Sequence, residues 1–258
     1  MGVLEKFSLR GKIILVTGGA GLYGKHIVEG LGEAGGTVYV ASRNFSNCKA
    51  LAEKLVKMGY DVIPGEVDQS NSRSILALYE RILKEQGRID VLVNNAVARP
   101  MKSYEDPIES FDLSMKINAT GIFEITRIFA KNMMEHRSGS IINIASMYGV
   151  VGPDFTMYEG TAMGAPPDYF FHKAGLINLT KYLAAVYGPY NIRVNAISPG
   201  GLFSNQPEQF LERYYKRTML GRMANGEDIK GVVVFLASDT SLYITGTNIL
   251  MEGGYTAK

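Results

Sequence analysis

The stretch Lys12-Ile-Ile-Leu-Val-Thr-Gly-Gly-Ala-Gly-Leu-Tyr-Gly24 joins a short apolar run to a glycine-rich turn. Residues 13–17 are mostly branched aliphatic side chains bounded by glycine, which is typical of a strand buried on both faces. After Gly24 the apolar residues take the spacing of an amphipathic helix. A strand, a glycine-rich turn and a helix in this order predict the opening unit of a parallel α/β sheet.

The glycines of this turn have a spacing that indicates a binding function. Gly19, Gly21 and Gly24 satisfy G-x-G-x-x-G directly after the first strand and before a helix. Glycine permits the tight turn and lets backbone N–H groups at the helix start approach a pyrophosphate. A purely structural glycine-rich turn is the alternative, but the position after the first strand favours dinucleotide binding.

Strand and helix alternate along the rest of the 258-residue chain. Strands are predicted at residues 13–17, 37–42, 61–67, 89–94, 140–145, 192–197 and 248–251. Helices are predicted near residues 24–34, 46–58, 71–87, 108–137, 170–188 and 226–238. The short links imply right-handed crossovers. We therefore expect one domain over residues 1–258, an α/β Rossmann-like doubly wound parallel sheet of about seven strands with helices on both faces.

The composition argues against several classes of protein. Hydrophobic residues make up 46% and charged residues 20%, and the net charge of +2 predicts neither nucleic acid nor a membrane surface as a partner. No apolar run reaches the ~20 residues that span a bilayer. Residues 1–11 lack the apolar core of a signal peptide, so we expect a cytoplasmic protein. The single cysteine, Cys48, and three scattered histidines predict a structural thiol and no metal site.

The end of the second strand predicts which dinucleotide is bound. An acidic residue there would bond the adenosine ribose and repel a 2′-phosphate, whereas this chain has Ser42 and Arg43. A hydroxyl and a cation suit that phosphate, so NADP(H) is favoured and NAD(H) stays open. A solvated surface arginine is the alternative interpretation of Arg43.

A second pattern, Tyr169-Phe-Phe-His-Lys173, opens the predicted helix before the sixth strand. The spacing puts the phenol and the ammonium on one helical face, where the cation favours the phenolate form. A phenol so placed suits acid/base work on an alcohol proton. The pattern is common by chance, but here Ser146 lies just beyond the fifth strand, where its hydroxyl would orient a substrate oxygen.

With these motifs in this order, the sequence resembles the short-chain dehydrogenase/reductase family over essentially its whole length. The matching residues are Thr17, Gly18, Gly24, Asp68, Asn94-Asn-Ala96, Asn118, Ser146, Tyr169, Lys173, Ser198-Pro-Gly200 and Gly253-Gly254. The resemblance implies an NAD(P)-dependent oxidoreductase that moves a hydride between the nicotinamide and a secondary alcohol or ketone.

The resemblance also implies roles for individual residues. Tyr169 would be the acid/base, Lys173 would favour its phenolate and bind the nicotinamide ribose, and Ser146 would hold the substrate oxygen. Asn118 would anchor a water in a proton relay through Lys173. The residues expected at the cofactor are Gly18, Leu22, Tyr23, Gly24, Ser42, Arg43, Asp68, Asn95, Ala96, Tyr169, Lys173, Pro199, Gly200 and Ser204.

Three positions near the cofactor depart from the family pattern. Leu22 stands where glycine is usual and must find an acceptable backbone conformation there. Val97 replaces the glycine that commonly follows Asn-Asn-Ala and adds bulk. Ser204 stands where threonine often touches the carboxamide, and it keeps the hydroxyl. The pyrophosphate is therefore expected at Gly18, at the backbone amides near Tyr23 and at the helix start.

The largest departure is the distance between Ser146 and the tyrosine. Family spacing would select Tyr158, but Ala162 rather than lysine follows it four residues later, so Tyr169 is preferred. The chain has thus gained residues in a segment, 153–167, that we expect to be an extended loop on the substrate side. Such loops often carry specificity, although a simple surface flap is an equal alternative.

The sequence says less about the substrate and the assembly. The loop, the run Gly200-Gly-Leu-Phe-Ser204 and the tail Glu252-Gly-Gly-Tyr255 are similar to those of members that act on sugars, sugar acids and sugar nucleotides, such as gluconate-type and sugar-modification enzymes. A 3-ketoacyl thioester reductase is the alternative enzyme, and a non-catalytic NADP-binding sensor is the other. Dense apolar runs at residues 122–129 and 176–179, together with the resemblance, predict a homotetramer, with a homodimer as the alternative.

Overall fold

In the computed structural model, which describes residues 2–257, seven strands form one parallel sheet in the order β3-β2-β1-β4-β5-β6-β7. The strands are β1 (Ile13–Thr17), β2 (Thr37–Ser42), β3 (Val62–Glu66), β4 (Val91–Asn94), β5 (Gly139–Ile144), β6 (Ile192–Pro199) and β7 (Asn248–Met251). This confirms the predicted doubly wound sheet; only Met1 and Lys258 of the expected domain lie outside the described residues. The strand order reverses between β1 and β4, and such a sheet binds ligands outside the carboxyl ends of its strands at that point.

Helices cover both faces of the sheet. They are α1 (Gly24–Glu33), α2 (Phe45–Lys57), α3 (Ser72–Gln86), α4 (Ile108–Met115), α5 (Ile122–His136), α6 (Pro167–Tyr187), α7 (Glu208–Arg217) and α8 (Gly226–Ala237). Along β1 the side chains alternate: Ile14 and Val16 pack beneath α1, α2 and α8, whereas Leu15 packs beneath α3, α5 and α6. Each such side chain, once buried, contributes about 1.5–3 kcal/mol to the free energy of unfolding.

The predicted single helix at residues 108–137 is interrupted. Between α4 and α5 the chain forms a π-helical segment, Lys116–Gly121, that contains the buried Asn118. A π-turn accommodates one extra residue, which a 3.6-residue apolar period does not reveal. The end of the π-helical segment lies close against the loop after β3. A Cβ on Gly121 would lie 2.3 Å from the Gln69 carbonyl oxygen, so glycine is needed there.

Helix α7 was not among the predicted helices. Its apolar side chains, Phe210 and Tyr214, pack on Met147, Met157 and Tyr255 rather than on the sheet. The helix therefore covers the loops beyond the carboxyl ends of the strands. This position makes α7 part of the wall around the crevice rather than a layer of the core.

The composition led to expectations about membrane spans, metal sites and the single cysteine, and residues 2–257 bear on each. None of the helices in this part of the chain has the length and apolarity needed to span a bilayer. Within the same residues, no three His, Cys, Asp or Glu side chains are grouped so as to hold a metal ion. Cys48 is a buried free thiol in the core beneath α2, as its predicted structural role requires.

Candidate active site

The predicted site residues lie along one edge of the sheet. Most of them lie at or just beyond the carboxyl end of a strand, and in a parallel sheet these ends meet at the same edge. Gly18 follows β1, Ser42 ends β2 and Arg43 follows it, Asp68 lies beyond β3, Asn95 and Ala96 follow β4, Ser146 lies beyond β5, and Pro199 ends β6 and is followed by Gly200. Tyr169 and Lys173 come to this edge from the first turns of α6.

The glycine-rich turn needs glycine at two positions. Gly18 has φ +61, and a Cβ there would lie 2.6 Å from the Cα of Ala96. A Cβ on Gly24 would lie 2.3 Å from the Gly18 carbonyl oxygen. Leu22 is exposed and has no positive φ, so it fits where the family has glycine. No side chain caps the start of α1, which leaves the N–H groups there suited to a pyrophosphate.

Two hydrogen-bonded links hold the loops around the crevice together. The Asn95 side-chain amide donates to the carbonyls of Thr17, at 3.0 Å, and Gly18, at 2.9 Å. On the other side, the Tyr23 hydroxyl donates to the Gly200 carbonyl at 3.0 Å. The glycine-rich turn is therefore tied to the loops after β4 and β6, so the crevice is preformed.

The end of β2 presents a cation to solvent. Arg43 is exposed and, among residues 2–257, forms no ion pair. Ser42 donates its hydroxyl to the Asn44 carbonyl at 3.2 Å and lies 3.1 Å from the Cys48 sulfur. Burial acts against the charge of Asp68, but hydrogen bonds from Ser70 and the nearby Arg43 hold its pKa below the ordinary value. Of the two residues predicted to meet a phosphate, Ser42 already has a hydrogen bond within the protein. The Arg43 guanidinium, by contrast, has no ion pair among the described residues and is available to an anion.

Lys173 is buried under the crevice. Its Nζ donates to the Ile144 carbonyl at 2.6 Å and lies 5.7 Å from the centre of the Tyr169 ring. Burial, and then the charge of Arg99, lowers the pKa of Lys173 from 10.5 to about 7. The bond to Ile144 places this ammonium beside the end of β5, two residues before Ser146.

Tyr169 is half-buried, and its hydroxyl accepts and donates no hydrogen bond within residues 2–257. The guanidinium carbon of Arg99 lies 4.6 Å from the centre of its ring, and the His172 ring meets it edge-on at 5.3 Å. Ser146 accepts a bond from the Tyr148 N–H at 3.2 Å, which leaves its hydroxyl proton to donate. The geometry therefore leaves two hydroxyls available to a substrate oxygen.

Tyr158, the tyrosine selected by family spacing, has a different environment. Its hydroxyl lies 2.5 Å from that of Tyr148, and its ring packs on Phe210 of α7 at 5.7 Å. Burial raises the pKa of Tyr158, and burial likewise raises the pKa of Tyr148. Both phenols are therefore protonated and bonded to each other near neutral pH.

The 153–167 segment bridges the two sides of the crevice. Gly164 packs on the loop after β4, where a Cβ would lie 3.0 Å from the Lys102 carbonyl oxygen. The Glu159 carbonyl accepts a bond from Arg213 of α7 at 2.6 Å. Within it, residues Phe155–Tyr158 form a short 3₁₀ turn that carries the buried Met157. The segment thus contacts both the loop after β4 and helix α7.

Asn118 holds the loop after β4. Its side-chain oxygen accepts from the Ala98 N–H at 2.8 Å, and its amide donates to the Ala98 carbonyl at 2.8 Å and to Ser114 Oγ at 3.0 Å. Both amide protons are therefore used within the protein. The side chain positions the residues that follow Ala98.

Three polar residues at the site were missed by the sequence analysis: Arg99, Asp168 and His172. Both ring nitrogens of His172 and one carboxyl oxygen of Asp168 are buried and unpartnered among the described residues. Burial, then the charges of Lys173 and Arg99, lowers the pKa of His172 to about 3, so the ring is neutral. The positions of these residues in the sequence could have indicated them. Asp168 directly precedes the Tyr169 motif, His172 lies within it, and Arg99 comes three residues after Asn94-Asn-Ala96.

The chain is similar to known proteins over nearly its whole length. The family model described as enoyl-(acyl carrier protein) reductase matches residues 21–256. The chain is 33% identical to a 3-oxoacyl-(acyl-carrier-protein) reductase of Thermotoga maritima, covering 95% of this chain and 98% of that protein. It is 31% identical to a 2-dehydro-3-deoxy-D-gluconate 5-dehydrogenase of Dickeya dadantii, covering 99% and 100%. A gluconate 5-dehydrogenase of Burkholderia cenocepacia, solved with NADP and tartrate, superposes with a TM-score of 0.90 at 25% identity over 100% of both chains.

Proposed function

The chain belongs to the short-chain dehydrogenase/reductase family and is an NAD(P)-dependent oxidoreductase of alcohols and ketones, and we propose that its substrate is polyhydroxylated: a sugar, a sugar acid or a sugar nucleotide. The observation that carries the proposal is the free Tyr169 hydroxyl near the buried Lys173, with further polar groups beside it. Tyr148, Tyr158 and Arg99 line this space with phenols and a guanidinium. Such groups suit a substrate with many hydroxyls.

The named relatives support two substrate classes. The gluconate and deoxygluconate dehydrogenases favour a sugar acid, whereas the 3-oxoacyl reductase relatives favour a 3-ketoacyl thioester. The thioester is the second candidate, because an acyl chain has no group that would bond the phenols and the guanidinium. The non-catalytic sensor is disfavoured by the presence of Ser146, Tyr169 and Lys173 together.

The residues at the sheet edge fit a bound NADP(H). The glycine cradle that a Cβ would fill at Gly18 and Gly24 and the uncapped start of α1 suit its pyrophosphate. Arg43 would meet the 2′-phosphate, and Asp68 would face the adenine. Pro199, Gly200 and Ser204 would lie along the nicotinamide half. When bound, the cofactor supplies or accepts the hydride.

In the proposed mechanism, Tyr169 protonates the carbonyl oxygen during reduction and removes the alcohol proton during oxidation. Ser146 donates a hydrogen bond to the same oxygen and so orients it. Lys173, in its protonated form, favours the phenolate of Tyr169. The same lysine would bind the nicotinamide ribose. Asn118 would anchor a water in a proton relay through Lys173, in addition to holding the loop at Ala98.

The proposal is tested with a substrate panel. Polyols, sugar acids and 3-ketoacyl thioesters are offered with each nicotinamide, and turnover is followed by absorbance. We expect turnover of at least one polyhydroxylated compound, with NADP(H) the better cofactor. Turnover of the thioesters alone would favour the second candidate, and no turnover at all would favour the sensor.

Arg43→Ala is expected to erase most of the preference for NADP(H). A charge-assisted hydrogen bond to the 2′-phosphate contributes about 1.5–3 kcal/mol, and NAD(H) lacks this phosphate. The dissociation constants of both cofactors are measured by fluorescence titration for the two proteins. Equal affinity of the unmodified protein for the two cofactors would contradict the assignment.

We also propose that the protein is a homotetramer, or a homodimer, assembled through α4, α5 and α6. The apolar runs that suggested this are partly core: Ile125, Phe129 and Leu176 are buried within the single chain. Other apolar side chains of the same helices are exposed. They are Ile108, Leu113, Phe123, Phe171 and Tyr182. Burying such a patch in an interface is favourable.

Light scattering at micromolar concentration is expected to give the mass of four chains, or of two. Phe171→Lys would place a charge in the apolar patch and is expected to shift the mass toward the single chain. Val56→Lys, which places the same charge at an exposed apolar position of α2 on the other face of the sheet, serves as the matched control. A single-chain mass for the unmodified protein would refute the proposal.

A further inference from the structure

The Arg99 side chain is exposed, and its guanidinium lies over the ring of Tyr169. Its carbon is 4.6 Å from the centre of the Tyr169 ring, within the range of a cation–π contact. Its charge also acts on Lys173, His172 and Tyr158, which places it among the groups in front of the acid/base. We propose that Arg99 binds a carboxylate of the substrate. This inference rests on the proposed function and narrows it to hydroxy acids and keto acids.

The backbone before and after Arg99 is fixed. Ala98 is held on both its N–H and its carbonyl by the side chain of Asn118, each at 2.8 Å. Pro100 follows and has a φ locked by its ring. The ring of Tyr169, which stacks on the guanidinium, then limits the conformations of the Arg99 side chain. An arginine ordered in this way loses little side-chain entropy when it binds an anion.

The charge of Arg99 is not neutralised by the protein. Within residues 2–257, no carboxylate lies in ion-pair distance of its guanidinium and no hydrogen bond uses its side-chain nitrogens. The groups that face it are a lysine, a neutral histidine and two phenols; Asp168, one residue before Tyr169, forms no ion pair with it. The crevice is therefore positive at this point, and the five N–H donors of Arg99 are free.

The position of Arg99 limits where the carboxylate stands on the substrate. A tyrosine hydroxyl is only a few ångströms from the centre of its ring, so Arg99 and the reacting oxygen share one small space. A carboxylate held by the guanidinium fork would lie within a few bonds of the carbon that exchanges the hydride. A 3-ketoacyl thioester has no anionic group at that reach, whereas a sugar acid has one.

The test compares a sugar acid with its neutral counterpart. Binding of D-gluconate and of D-glucitol is measured by calorimetry on the NADPH-loaded protein, in which neither alcohol can be oxidised, and kcat and KM are measured separately wherever there is turnover. Arg99→Gln is expected to weaken gluconate binding about 10- to 100-fold, as loss of a charge-assisted contact should, and to change glucitol binding by less than about 3-fold. Arg99→Lys should recover part of the loss, because it keeps the charge but not the planar fork.

Arg10→Gln is the matched control, since it removes an exposed arginine next to β1 at the opposite edge of the sheet. It should leave both affinities unchanged. Equal losses for gluconate and glucitol, or a displaced pH profile for glucitol, would mean that Arg99 acts on Tyr169 and would overturn the proposal. Failure of the unmodified protein to bind gluconate more tightly than glucitol would also overturn it. Because binding is measured without turnover, these results are separate from failure of the substrate panel.

Discussion

Tyr169→Phe is expected to reduce turnover by about 10²-fold or more while leaving cofactor affinity nearly unchanged. The substitution keeps the ring, so the stacking with Arg99 and the edge contact with His172 persist. It removes only a hydroxyl that bonds no other described residue, so folding should not suffer. Steady-state kinetics and a cofactor titration on the same preparation separate the two effects.

Tyr158→Phe is the matched control for this prediction. It also removes one phenolic hydroxyl from the crevice, but the hydroxyl it removes is bonded to Tyr148. We expect turnover to fall only a few-fold, because the loss weakens one hydrogen bond of about 0.5–1.5 kcal/mol. If Tyr158→Phe abolished turnover and Tyr169→Phe left it intact, the assignment of the acid/base would be wrong.

The strands were easier to predict than the helices. The limits of β1, β2 and β7 agree with the sequence prediction, and β4 begins two residues later than expected, at Val91. Strands buried on both faces have near-continuous apolar sequences bounded by turn residues, which are easy to delimit. The π-helical segment at Asn118 and α7 were not predicted, because the first adds one residue to a regular period and the second covers loops instead of the sheet.

Some residues of the site could likewise be predicted from the sequence and others could not. Residues at strand ends could be placed together from the order of the strands alone, since all parallel strands end at one edge. Arg99 could not, because its position depends on the bond between Asn118 and Ala98 across a loop and on stacking against a helix. The course of the 153–167 segment, which bridges to Arg213, also depends on contacts between distant parts of the chain.

Lys173→Met is expected to reduce turnover by about 10²-fold or more and to weaken cofactor binding as well. The lysine has two roles in the proposed mechanism, favouring the Tyr169 phenolate and binding the nicotinamide ribose, and methionine keeps only the length of the side chain. Measuring kcat and the cofactor dissociation constant tests both parts. Loss of turnover with unchanged cofactor affinity would remove the second role and leave the first.

The same substitution is expected to stabilise the folded protein in the absence of cofactor, in a pH-dependent way. Burial lowers the pKa of Lys173 from 10.5 to about 7, so between these values the unfolded chain binds more protons than the folded protein. The free energy of unfolding of the unmodified protein therefore rises with pH across this window, and the penalty of the buried charge is greatest below it. Lys173→Met removes that penalty, so its advantage should be about 1 kcal/mol or more near pH 6 and should shrink toward pH 10. Denaturant titrations of both proteins across this range, without cofactor, measure the difference. A variant that is less stable at pH 6, or an advantage that grows with pH, would contradict a buried Lys173 whose charge no carboxylate neutralises.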